Sequence, residues 1–166
     1  MSYIQQVFGT ELPLYDIMLR LLMASVCGAL IGWNRETHDK PAGLRTYMLV
    51  SIGSASFLLL AIELTGSHNL NPSELARVLA GILTGVGFLG AGTIIHQTPG
   101  SVHGVTTAAG IWLVSGIGAM CGSGKFALAL VSTFFGLLVL VVINRIKHKF
   151  PTHPENIENL HRNMKL

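Results

Sequence analysis

The side chains able to do chemistry gather in one short stretch, Asn34–Arg45, reading NRETHDKPAGLR, where Arg35, Lys40 and Arg45 stand among Glu36 and Asp39. A charge run of this kind is most often topogenic, its counterions supplied by solvent. Here the polarity is mixed and concentrated, and Arg35 and Glu36 abut a stripe of small residues. The sharper reading is therefore a polar functional cluster of Arg35, Glu36 and Arg45. Pro41 cannot continue a helix and Gly43 permits a turn, so the charges are held on a compact connection.

A second chemistry to weigh is cation ligation. Magnesium takes oxygen ligands and keeps several waters, so a path for it should offer several carboxylates or carbonyls at membrane depth. Asp16, Glu36 and Glu63 are the candidates, and each falls near the end of an apolar run. His96 and His103 could bind a metal or titrate near neutrality, but two imidazoles seven apart in a loop are more often ordinary loop residues. The question of a metal stays open. Cys27 and Cys121 lie in separate apolar runs away from any histidine cluster, the pattern of buried thiols. Neither a Ser-His-Asp set nor a phosphate loop is present, and GFLGAG lacks the strand–turn–helix setting of a nucleotide fingerprint. The expectation is a protein that is not an enzyme and needs no cofactor.

The elements that position these residues follow from composition. Of 166 residues, 50% are hydrophobic and only 11% charged, with mean hydropathy +0.55, too few charges to cover a soluble domain. The fold class is all-α, an integral membrane bundle of about five transmembrane helices in contact with lipid, and nucleic acid is not a partner. Spans are expected over about 14–33, 44–64, 75–95, 105–121 and 126–143, followed by a polar tail from 145 to 166. Each is near the ~20 residues a helix needs to cross the hydrocarbon core. Residues 1–12 lack a basic n-region and no cleavage pattern follows, so the first span is expected to remain in the mature protein.

Within the first span Asp16 and Arg20 are four apart and can pair on one face; Arg20 is a structural anchor or a functional charge. Ser73 is a candidate N-cap for the third span, with Glu74 near its positive end and Arg77 following. A helix within 154–164, lying at the membrane surface, and a disordered tail are both compatible with that composition. The fifth span reads as the most lipid-exposed. Three Lys or Arg in the first connection and five in the tail place eight of the eleven cations on one side, leaving Arg20, Arg77 and Lys125 for the other. The positive-inside rule then sets the N-terminus outside and the C-terminus in the cytoplasm.

From Gly81 to Gly110 the chain holds eight glycines, five of them within the third span. Small residues let helices approach closely in lipid, where no hydrophobic force brings them together. This stretch is expected to be the packing centre. Gly81, Gly85, Phe88 and Gly92 share one face, a groove for a neighbouring helix, and Ala24, Gly28 and Gly32 form a second small face that could meet it. Thr106 and Thr107 open the fourth span, where they can cap backbone N–H groups or bond across to another helix. Small faces favour a homodimer.

The blocks GALIGWNRE, PAGLRTYMLVSIGSA, GVGFLGAGTI and GVTTAAGIW, in this order, resemble the signature blocks of the MgtC/SapB family of bacterial inner-membrane proteins. The likeness spans roughly 21–122. It implies a five-span, multi-pass inner-membrane domain associated with adaptation to low magnesium, with acid stress and, in pathogens, with virulence. Family members have been called magnesium transporters, but the better supported role is regulatory and includes restraint of the proton-translocating ATP synthase in one member. The resemblance places the family's polar positions on Arg20, Arg35, Glu36, Arg45, Thr46, Arg77, Thr106 and Thr107. This sequence departs from the pattern at His103, where arginine is usual, and at Val105, where leucine is usual. The soluble C-terminal domain of longer members has no counterpart in these residues. The expected function is a non-enzymatic modulator of another membrane protein; the alternative is a transporter of magnesium or another cation.

Overall fold

The computed structural model describes residues 9–65, 71–98 and 101–149. They form five helices: α1 Leu14–Glu36, α2 Leu44–Thr65, α3 Pro72–Gly92, α4 Val105–Gly122 and α5 Phe126–Lys149. Helices α1 to α4 are each long and apolar enough to cross a membrane, and α5 has an apolar stretch over Phe126–Val142. The helix considered for residues 154–164 lies outside the described residues.

Local chemistry sets the ends. The Pro13 carbonyl accepts from the Asp16 and Ile17 N–H groups at 2.9 and 3.2 Å, opening α1, and Asp16 sits in its first turn, favourably placed at the positive end of the dipole. The Thr37 hydroxyl donates to the Trp33 carbonyl and closes it. At the start of α3 the N-cap is Asn71, not Ser73. Its side chain accepts from the Glu74 N–H at 2.9 Å while Glu74 accepts from the Asn71 N–H at 3.0 Å, a reciprocal capping box with Pro72 at the first helical position. The helix therefore begins a turn earlier than its apolar pattern suggests.

Two boundaries differ further from expectation. Within the stretch read as a plain connection, β1 Ile95–Thr98 and β2 Ser101–His103 pair antiparallel, with Ile95 opposite His103. Helix α5 continues to Lys149, so Arg145, Lys147 and Lys149 belong to a helix rather than to a tail.

The centre of the bundle is α4. It buries Thr107, Gly110, Ile111, Val114, Ser115, Ile117, Gly118 and Cys121 among its neighbours, against α1, α2, α3 and α5. The expected packing centre thus divides: its second half is central, while α3 is peripheral and buries only Ile82, Val86 and Gly90. Peripheral position is not reserved for α5. The stripe of Ala24, Gly28 and Gly32 also meets a different neighbour. A Cβ on Gly28 would stand 2.8 Å from the Tyr47 carbonyl oxygen, and one on Gly32 2.8 Å from the Leu44 Cα, so this face lies on α2 and not on α3. On an adjoining face of α2, a Cβ on Gly118 would collide with the Ser51 carbonyl, and one on Gly122 would stand 2.7 Å from that of Ala55. Cys27 and Cys121 are both free thiols, buried within the bundle.

Large apolar side chains cover the outside, including Leu22, Leu30, Phe57, Leu64, Phe88, Phe134 and Phe135. Such a continuous apolar exterior suits hydrocarbon and not water. Because backbone meets backbone at Gly118, Gly118→Ala is expected to force α2 and α4 apart and to cost about 1–3 kcal/mol of stability. Gly81→Ala, with open space at that site, should stay within about 0.5 kcal/mol of the parent. Thermal unfolding of the two variants in detergent micelles checks this, and equal effects would count against the packing scheme.

Candidate functional site

Arg35 stands in the last turn of α1 with only 3% of its surface exposed. A guanidinium at that depth needs acceptors. One of its terminal nitrogens donates to Thr107 Oγ1 at 3.0 Å, tying the end of α1 to the first turn of α4, while its Nε has no partner. Tyr47, from the first turn of α2, donates its hydroxyl to the Thr107 carbonyl at 3.2 Å. Its phenol lies directly over Gly110, where a Cβ would collide with the hydroxyl oxygen. Three helices thus converge on Thr107.

The turn that delivers Thr107 is shaped by Gly104. Its φ is 93°, and a Cβ there would collide with the Thr93 carbonyl, so only glycine fits between hairpin and helix. No side chain caps the helix that begins beyond it. Around this end of the bundle lies a cavity of about 460 Å³, lined by Arg35 of α1, Asp39, Lys40 and Pro41 from the α1–α2 connection, Val102 and His103 from the hairpin, and Gly104, Val105, Thr106 and Thr107. Asp39 holds a positive φ of 50° in that connection.

Of the eight polar residues singled out in the sequence, three line this cavity: Arg35, Thr106 and Thr107. Glu36 is at the same end but acts within the backbone, its Oε2 accepting from the Leu44 N–H at 2.6 Å and so capping α2 from the preceding helix. Arg45 and Thr46 are exposed on the first turn of α2 and do not line the cavity. A cluster of Arg35, Glu36 and Arg45 is therefore not what the fold assembles. Burial turns Arg35 inward to Thr107, whereas Glu36 and Arg45 face outward.

Arg20 belongs to the opposite end. It pairs with Asp16 at 2.7 Å and donates to the Gly122 carbonyl at 2.8 Å, closing the last turn of α4. Arg77 lines a separate apolar crevice of about 640 Å³ between α2 and α3, with Gly53, Phe57, Gly81 and Gly85 among its walls. Gly28 and Gly32 are buried against α2, whereas Gly81, Gly85 and Gly92 have no other element of the chain within 4 Å of where a Cβ would be.

The carboxylates considered as cation ligands are engaged elsewhere. Asp16 holds Arg20, Glu36 caps α2, and Glu63 accepts from the Glu11 and Leu12 N–H groups at 2.6 and 3.0 Å. Among the described residues no three His, Cys, Asp or Glu side chains come together as a metal site. Sequence reasoning does not single out Tyr47; the available signal is a phenol inside an apolar span, which requires a partner for its hydroxyl. Nor does it bring Lys40 and His103 to one cavity, because the hairpin that carries His103 is not evident in the spacing.

A lipid-facing bundle of apolar helices, tied at its two ends by Arg20 and Arg35, defines a multi-pass membrane protein. The chain belongs to the MgtC family, which matches residues 21–149. It is 41% identical to Protein SrpB of Synechococcus elongatus over 79% of this chain and 76% of that protein. It is 37% identical to Protein MgtC of Salmonella typhimurium over 87% of this chain and 60% of the relative. It is also 39% identical to the "Putative magnesium transporter YhiD" of Escherichia coli over 79% of this chain and 62% of that protein. The match thus spans about three fifths of the length of MgtC and YhiD. No solved structure matches the chain.

Because Thr107 Oγ1 is the acceptor for a buried guanidinium, Thr107→Val is expected to cost about 1–3 kcal/mol. Thr106→Val, at an exposed position, should change stability by less than about 0.5 kcal/mol. Thermal midpoints of the two variants in the same detergent test the Arg35–Thr107 tie.

Proposed function

We propose that this chain is a non-enzymatic modulator of another membrane protein, acting in adaptation to low magnesium or acid stress, and that it pairs through α3. The observation that carries this reading is the uncovered glycine face of that helix, part of which lines the open crevice beside α2. Gly28, Gly32, Gly118 and Gly122 are occupied by α2 within the chain, whereas Gly81, Gly85 and Gly92 meet nothing. Beside them Phe88 is 82% exposed. In lipid, association between helices rests on close van der Waals packing at small residues, so an open small face on a loosely held helix suits a helix from outside the chain. A second copy and a larger membrane assembly such as the ATP synthase both present such helices.

Orientation supports the same picture. The α1–α2 connection with Arg35, Lys40 and Arg45, and the C-terminal turns of α5 with Arg145, Lys147 and Lys149, lie at one end of the antiparallel bundle. Positive residues gather on the cytoplasmic side. We therefore assign that end, with its cavity, to the cytoplasm, and the start of α1 to the outside.

Magnesium transport is the second reading, favoured by the name of YhiD. Against it stand Asp16, Glu36 and Glu63, all engaged with backbone or arginine at helix ends rather than free at membrane depth. A photoreactive amino acid placed at Phe88 in cells is expected to trap a heavier adduct, and Gly85→Leu to abolish it, while the same probe at Leu22 gives only lipid. Monomer alone at position 88 would remove the basis for a modulator. Vesicles loaded with the purified protein should take up magnesium no faster than empty ones; faster uptake would establish the transporter.

A further inference from the structure

We propose that the cavity between the α1–α2 connection, the hairpin and the first turn of α4 is a binding site for a phosphate group. The assignment does not require the modulator reading, since it concerns only groups within this chain.

Three donor systems reach the cavity from different elements. The first is Arg35, which lines it with only 3% of its surface exposed. Thr107 Oγ1 satisfies one terminal nitrogen, Nε has no partner, and no carboxylate pairs with this cation among the described residues. A buried guanidinium with a single neutral acceptor is short of negative charge. The second is the amino end of α4. This 18-residue helix has Gly104 at its N-cap and no side-chain cap, so the first backbone N–H groups, which lack intrahelical partners, are not satisfied by any side chain. Those groups and the helix dipole favour an anion. The third is the rim, where Lys40 supplies a mobile ammonium, and Thr106 a hydroxyl.

The one opposing group is Asp39, an exposed residue on the same rim. It offsets one of the two cations and leaves the site positive. A planar carboxylate could use the Arg35 fork alone. Donors arriving from a fork, a helix end and an ammonium in different directions suit the tetrahedral oxygens of phosphate better. The cavity lies at the ends of the spans, at the depth of lipid headgroups, so the phosphate could be that of an anionic phospholipid or free in solution.

The test uses the whole chain in a maltoside detergent, which contains no phosphate. Thermal unfolding is followed against inorganic phosphate, against a short-chain phosphatidylglycerol, and against sodium chloride at matched ionic strength. Lys40→Gln is the main variant, because Arg35→Gln also removes a buried tie and so mixes loss of the site with loss of stability. A midpoint that rises with phosphate or phosphatidylglycerol but not with chloride, and that needs about ten-fold more ligand in Lys40→Gln, supports the site. A response to phosphatidylglycerol alone assigns the group to a lipid; a response to inorganic phosphate assigns it to a soluble anion. A rise that chloride reproduces, no rise with either ligand, or an identical response in Lys40→Gln would overturn the proposal. The isolated chain suffices for this measurement, so failure of the cross-linking at Phe88 leaves it standing.

Discussion

The core of this bundle depends on how closely α1 and α4 can approach α2. In lipid the hydrocarbon around a helix is as apolar as a leucine, so burial of apolar surface does not by itself gather helices. Contact must come from dispersion between closely fitted surfaces, and that requires backbones to meet. Gly28 and Gly32 bring α1 onto α2, and Gly118 and Gly122 bring α4 onto an adjoining face of it, with Ser51 touched by both. With α1 and α4 also in contact with each other, the three helices form a compact triangle.

That triangle makes the buried arginine tolerable. Arg35 can lie at 3% exposure only because α4 delivers Thr107 and α2 delivers Tyr47 to the same place. The opposite end repeats the device with different parts: Arg20 bonds the Gly122 carbonyl and balances its charge on Asp16. The two ends differ in electrostatic completeness. Arg20 has its carboxylate, whereas Arg35 has only a hydroxyl, beside an uncapped helix end and Lys40. The asymmetry gives one face of the protein a positive cavity and leaves the other neutralised.

The same logic separates the glycines by role. Gly28 and Gly32 of α1 and Gly110, Gly118 and Gly122 of α4 are covered by α2, whereas in α3 only Gly90 meets another helix, and Gly81, Gly85, Gly87 and Gly92 do not. Membership in the MgtC family agrees with a multi-pass membrane protein.

Much of this was legible in the residues. Apolar run length and scarcity of charge determined a helical membrane bundle, because a bilayer admits few other ways to satisfy a backbone. The four-residue spacing determined that Asp16 could pair with Arg20, since i and i+4 share a face within one helix. Spacing along the chain cannot show which helix meets which. The stripe at Gly28 and Gly32 was equally compatible with α2 and α3, and nothing local marked α4 rather than α3 as central. Nor could it show that Glu36 would bend back to cap α2, or that Tyr47 and Arg35 would converge on Thr107, sixty and seventy-two residues away respectively. Those pairings were decided by tertiary structure, because they depend on three-dimensional fit between surfaces whose local patterns are nearly alike.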